Sequence, residues 1–145
     1  MYKAIVVGTD GSPTALSAVR KAAELAALCG ATLHVVSAYK PTGAMYVAPD
    51  VLPVGLNELL NPQAEAERAT ADAAEKVAAT GVRVETYAVP GDPASALIDV
   101  AEAQGGDLIV VGNRGMTTKA RFLMGSVPNK VSHHAPCSVL IIKTT

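Results

Sequence analysis

The chain has 145 residues, 50% of them hydrophobic and 17% charged, with a formal charge of −1, which suits one ordinary domain with a substantial core. Only 3% are aromatic and none is Trp, so there are few rings to stack single-stranded bases, and the near-neutral charge excludes a whole-protein nucleic-acid coat. No apolar run approaches the ~20 residues of a membrane span, and the strand-like run after Met1-Tyr2-Lys3 is unlike a signal peptide.

Cys29 and Cys137 form no CxxC or zinc-like spacing. The expectation is a single domain over residues 1–145, cytoplasmic, with reduced thiols and no nucleic-acid or membrane partner. Charge is uneven: residues 107–145 carry Arg114, Lys119, Arg121, Lys130 and Lys143 against Asp107, a balance of +4, leaving −5 for residues 1–106. Either this is scatter over a surface, or the C-terminal third handles an anion.

Ala4-Ile5-Val6-Val7-Gly8 has the continuous apolar pattern of a buried strand. Ser12 and Pro13 form an N-cap and first helical residue, and Gly30 suits the helix end. Thr32-Leu33-His34-Val35-Val36 reads as strand two. Residues 39–62 form a long Pro- and Gly-bearing connection with apolar residues such as Met45, Tyr46 and Leu52. Such a connection either folds over something or packs as a surface flap.

A second helix runs from Ala64 to Thr80 and ends at Gly81. Residues 82–89 alternate apolar and polar, as a half-exposed edge strand does. Asp92-Pro93 opens a third helix to about Gln104, and Asp107 to Gly112 is a continuous apolar strand. A loop with Gly, Arg and Thr spans 113–125, Ser126 opens the last helix to about His134, and residues 138–142 form strand five.

This alternation predicts a Rossmann-like α/β fold: an open five-stranded parallel sheet, order 3-2-1-4-5, with helices on both faces. Ligands in such sheets sit at the carboxyl ends of the strands where the order reverses, here between strands one and four. Strand five should be the other edge, yet Val139, Leu140, Ile141 and Ile142 are apolar on both faces. That edge either pairs with its twin in a homodimer or is short enough to stay harmless.

The loops at the reversal are Gly8-Thr9-Asp10-Gly11-Ser12 and Gly112-Asn113-Arg114-Gly115. Glycines there let backbone approach a ligand closely. Gly125-Ser126 at a helix start presents N–H groups and the positive end of the helix dipole, while Arg114, Lys119 and Arg121 offer charge to phosphate. The alternative is a tight loop with solvated basic residues. Asp10 could accept from a ribose, or simply cap the turn before the first helix.

Val7-Gly8-Thr9-Asp10-Gly11-Ser12 together with the spacing G-x2-G-x9-G-S at 112–126 resembles the universal stress protein family over essentially the whole chain. The resemblance implies five parallel strands, dimerisation through strand five and, with this motif, ATP binding. Carried across, Gly8, Thr9 and Asp10 line the nucleoside end, with Asp10 on the ribose, and backbone near Val36 and Ser37 meets the adenine edge. Val111, Gly112, Arg114 and Gly115 surround the ribose and first phosphates, and Gly125, Ser126 and Val127 cradle the rest.

Many relatives have Ser or Thr after Gly-Ser-Val; here Pro128 offers neither hydroxyl nor N–H. The ligand implied is therefore ATP, AMP or cyclic AMP, with Mg²⁺ as an accompanying ion. No catalytic residue is assigned: Ser126, a His and Asp10 lack a GxSxG elbow, so at most slow ATP hydrolysis is expected. His133 and His134 point about 100° apart on one helix and make poor metal partners. The expected role is an ATP-binding regulator of the stress response. The alternatives are a cyclic-AMP sink or sensor, a dimeric interaction protein with a structural nucleotide, and a slow ATPase or phosphotransferase.

Overall fold

The computed structural model describes residues 1–41, 61–113 and 124–144. β1 (Ala4–Gly8) is buried through Val7 because it has a strand on each edge and helices on each face. It pairs in parallel with β2 (Thr32–Tyr39) and with β4 (Leu108–Gly112). β3 (Arg83–Pro90) adds outside β2, and β5 (Ser138–Ile142) adds outside β4. The order is therefore β3-β2-β1-β4-β5, as the sequence predicts.

Alternate residues of the central strands serve two cores. Ile5, Val7, Leu33, Val35, Leu108 and Val110 pack against α1 (Pro13–Cys29) and the end of α2 (Pro62–Lys76). Val6, Val36, Ile109 and Val111 pack against α3 (Pro93–Gln104) and α4 (Ser126–His134). Large side chains come mainly from the strands and small ones from the helices, where Ala18, Ala22, Ala23 and Ala26 let α1 lie close to the sheet.

Three helices begin with the same local chemistry. Ser12, Asn61 and Asp92 accept the N–H of Ala15, Ala64 and Ser95, and a proline follows each cap. α1 and α3 end on left-handed glycines, Gly30 and Gly105.

Some boundaries differ from the sequence reading. β2 continues through Ser37, Ala38 and Tyr39, because its pairing with β3 extends from Thr32↔Arg83 to Tyr39↔Pro90. Tyr39 thus belongs to the sheet and not to the connection after it. α2 starts at Pro62 on the Asn61 cap and ends at Lys76; a short 3₁₀ turn then covers Ala78–Thr80. Residues 42–60 of the predicted connection lie outside the described residues.

Asp107 precedes β4 instead of opening it. Burial raises the affinity of its carboxylate for a proton, but the N–H groups of Lys3 and Ala4 at 2.9 and 3.1 Å outweigh this and hold it below the ordinary range. The sheet also buries His34, only 5% exposed. The Tyr87 hydroxyl donates to Glu85 at 2.9 Å, so its oxygen is left to accept from His34 Nδ1, also at 2.9 Å. Burial pushes the imidazole pKa down, against the pull of Glu85, and burial with Glu85 pushes Tyr87 up to about 12.

α4 is held to α3 by Lys130, whose ammonium meets the Asp92 carboxylate at 2.9 Å. The same carboxylate caps α3, so one side chain joins the start of α3 to the middle of α4.

Two outcomes test this packing. A Cβ on Gly106 would lie 2.9 Å from Val6 Cγ2 and 3.0 Å from Ala101 Cα. Gly106→Ala should therefore cost about 1–3 kcal/mol, read as a lower urea midpoint at unchanged slope. The second outcome concerns acid. Asp92 is held low, first by Lys130 and then by Ser95. Its contribution is complete above the unfolded carboxyl value, near pH ~4, and is lost as pH falls through the folded value. Lys130→Met should be the less stable protein above that range by no more than about 1 kcal/mol, the pair being half exposed. Unfolding curves should converge in stronger acid.

Candidate functional site

The reversal of strand order leaves a crevice of ≈180 Å³ at the carboxyl ends of β1 and β4. Gly8 and Gly112, the last residues of those strands, both line it. A Cβ on Gly8 would already stand 3.3 Å from Leu97 Cδ2, so a larger residue there would fill the hollow. Val36 and Val111 add apolar surface from the neighbouring strand ends.

The turn from β1 into α1 is fixed by its own side chains. Thr9 N–H bonds the Val36 carbonyl at 2.8 Å, tying the turn to β2. The Thr9 hydroxyl accepts from Gly11 N–H at 3.1 Å, and Asp10 Oδ1 accepts from Ser12 N–H at 2.9 Å. Gly11 has φ +84°, a conformation that favours glycine. Asp10 is exposed at the crevice wall, one carboxylate oxygen holding the turn and the other directed to no donor among the described residues.

α4 closes the opposite side through Val127 and Pro128. Its N-cap is Gly125, which brings no side chain to the first turn. The first intrahelical bond is Asn129 N–H to the Gly125 carbonyl at 3.1 Å. Pro128 has no N–H. Among the described residues no bond takes the N–H of Ser126 or Val127. Two donors and the positive end of a helix therefore stand next to Val127 of the crevice wall without an acceptor among the described residues.

The candidate residues are brought together unevenly. Gly8, Thr9, Asp10, Val36, Val111, Gly112 and Val127 line one hollow. Gly125 and Ser126 do not line it; they immediately precede Val127 at the start of α4. Ser37 does not line it; it lines a second hollow of ≈360 Å³ with Tyr39, Lys40 and Glu65, which shares Asp10 with the first. Val36 and Ser37 point to opposite faces of the strand, and Ala38, next in line, borders both hollows. Arg114 and Gly115 lie outside the described residues.

The sequence reading missed much of the wall: Ala15 and Ala18 from α1, and Pro93 and Leu97 from α3. A usable signal was present. A helix that follows a parallel strand must begin at the carboxyl edge, so the residues after Ser12 and Asp92 were bound to reach the crevice. Chemically, the site pairs an apolar slot with one carboxylate and an anion-ready helix end. Among the described residues no group of three His, Cys, Asp or Glu side chains could hold a metal.

Comparison with known proteins agrees with this geometry. The profile of the Universal stress protein family matches residues 1–143. Universal stress protein Rv1636 of Mycobacterium tuberculosis H37Rv is 39% identical over 145 residues, covering 99% of this chain and 98% of the relative. A crystal structure of a universal stress protein in complex with cAMP superposes with TM-score 0.75 at 34% identity, covering 99% of this chain and 98% of the other. The universal stress protein from Archaeoglobus fulgidus in complex with dAMP gives TM-score 0.70 at 28% identity, covering 98% of each chain. In fold, in motif and along nearly its whole length, the chain belongs to the universal stress protein family.

Proposed function

We propose that the crevice over Gly8 binds an adenine nucleotide and that its occupancy is the signal of a cytoplasmic stress regulator. The observation that carries this is the start of α4, where the N–H groups of Ser126 and Val127 face no acceptor among the described residues. A phosphate would supply that acceptor. The base would occupy the apolar slot between Ala15, Val36 and Leu97, and Asp10 would take the ribose hydroxyls with its unused oxygen. Gly112, Arg114 and Gly115 would flank the first phosphate. The relatives bound to cAMP and dAMP support the ligand class.

A second reading, a cyclic-AMP sink or sensor, has its own support. Pro128 removes one first-turn donor from α4, which favours one phosphate over three. ATP with Mg²⁺ would depend more heavily on residues 114–123. Calorimetry with ATP, AMP and cyclic AMP, with and without Mg²⁺, separates the readings. ATP binding that is tightest and strengthened by Mg²⁺ selects the first. Tighter, Mg²⁺-independent cyclic AMP binding selects the second.

Gly125→Asp tests the shared site. The backbone at Gly125 (φ −61°, ψ 163°) suits any residue, and Asp is a strong N-cap. Its carboxylate would accept from the first turn and repel phosphate. Affinity for AMP should fall at least about tenfold, or ~1.4 kcal/mol, with the fold retained. Unchanged affinity would move the phosphate elsewhere.

The assembly belongs to the same proposal. Leu140 and Ile141 on the β5 edge are 38% and 39% exposed. A twofold-related copy would pair β5 with β5 and cover them. The unmodified chain should scatter light as a dimer at micromolar concentration, and Ile141→Lys as a monomer. A monomer in both cases would remove this part of the proposal.

A further inference from the structure

Asn113 gathers three separate parts of the chain. Its N–H donates to the Ile142 carbonyl at 2.8 Å, extending the β4–β5 ladder beyond Gly112. Its own carbonyl accepts the N–H of Gly125, the N-cap of α4, at 2.9 Å. Its side-chain Oδ1 accepts twice from Thr144, from the N–H at 2.9 Å and from the hydroxyl at 3.2 Å. The end of β4, the tail after β5 and the start of α4 thus meet on one half-buried residue.

From this junction we propose that Asn113 is a positioning residue of the crevice, acting through α4 and without touching the ligand. The argument rests on reading the crevice as a nucleotide site. Its amide oxygen fastens the tail, the tail and ladder fix the 113 peptide, and that carbonyl sets Gly125. Gly125 in turn places the Ser126 and Val127 N–H groups against phosphate. The chemistry explains the residue type. The junction needs an acceptor for two donors, which excludes an apolar side chain. An Asp would hold the tail equally well, but would place a negative charge beside an anion site.

The test compares Asn113→Leu with Asn113→Asp by amide hydrogen exchange and by calorimetry with AMP and adenosine. In Asn113→Leu, exchange at Gly125 and Thr144 should quicken at least about tenfold as the junction opens. AMP affinity should fall about fivefold or more while adenosine affinity stays within about twofold, because only the phosphate end is displaced. Asn113→Asp should keep wild-type protection at both amides yet bind AMP less well. Should Asn113→Leu fail to fold, Thr144→Pro removes both donors from the other side and should give the same pattern.

Unchanged exchange at Gly125, or equal losses for AMP and adenosine, would overturn the positioning role. A wild-type protein that binds neither compound would overturn the nucleotide reading instead, while exchange at Gly125 still decides whether Asn113 sets α4.

Discussion

The reversal of winding at β1 is the constraint on which the rest depends. The chain leaves β1 for β2 on one side and comes back to β4 on the other. α1 therefore covers the Ile5–Val7 face, and α3 covers the Val6 face. Neither helix can cross the carboxyl edge between β1 and β4, so a hollow there follows from connectivity. Side chains decide only what the hollow accepts. Gly8 and Gly112 keep its floor low, and alanines on α1 keep one wall thin and apolar.

Local stability is arranged unequally around that hollow. Ser12, Asn61 and Asp92 each cap a helix, a contribution of about 1 kcal/mol apiece. α4 forgoes it by starting on Gly125, and Pro128 adds no donor. Asp10 is divided in the same way: one carboxylate oxygen holds the turn, and the other is directed to no donor among the described residues. Both departures from the rule followed elsewhere in the chain fall beside the hollow, the pattern expected of a binding site. Burial treats the polar network of the sheet differently. His34, Tyr87 and Glu85 bond one another within the sheet, away from the hollow's lining residues.

Much of the fold could be read from the sequence because its punctuation is strong. Ser12-Pro13 with Gly30, and Asp92-Pro93 with Gly105, bound two helices by local chemistry alone. The apolar runs of β1 and β4 marked the centre of the sheet for the same reason. The end of β2 was harder. Ser37-Ala38-Tyr39 leads into Lys40-Pro41 and looks like a loop, and only pairing with β3, some fifty residues away, makes it strand. The site divides along the same line. Gly8, Asp10 and Gly112 were legible as the loops at a reversal. Leu97 and Ala18 were missed: the strand–helix order brings their helices to the carboxyl edge, but which of their residues face the hollow is set only when two helices converge on one strand end. The two faces of β2 likewise send Val36 into the crevice and Ser37 into its neighbour.

The β5 edge and the crevice are parts of one mechanical unit. β5 pairs with β4 through Gly112↔Ile142, and the next ladder bond ends on Asn113. That residue holds Gly125, so the first turn of α4 rests on the last turn of the sheet. A partner strand on β5 would stiffen this ladder from outside, and a phosphate on α4 would load it from inside. Any free energy that pairing adds to nucleotide binding must, by linkage, be added by nucleotide to pairing. The distance between the two surfaces is no obstacle, because a continuous run of backbone hydrogen bonds joins them. If pairing and nucleotide binding are coupled, Asn113 is one place among the described residues where that run can be cut while both surfaces remain intact.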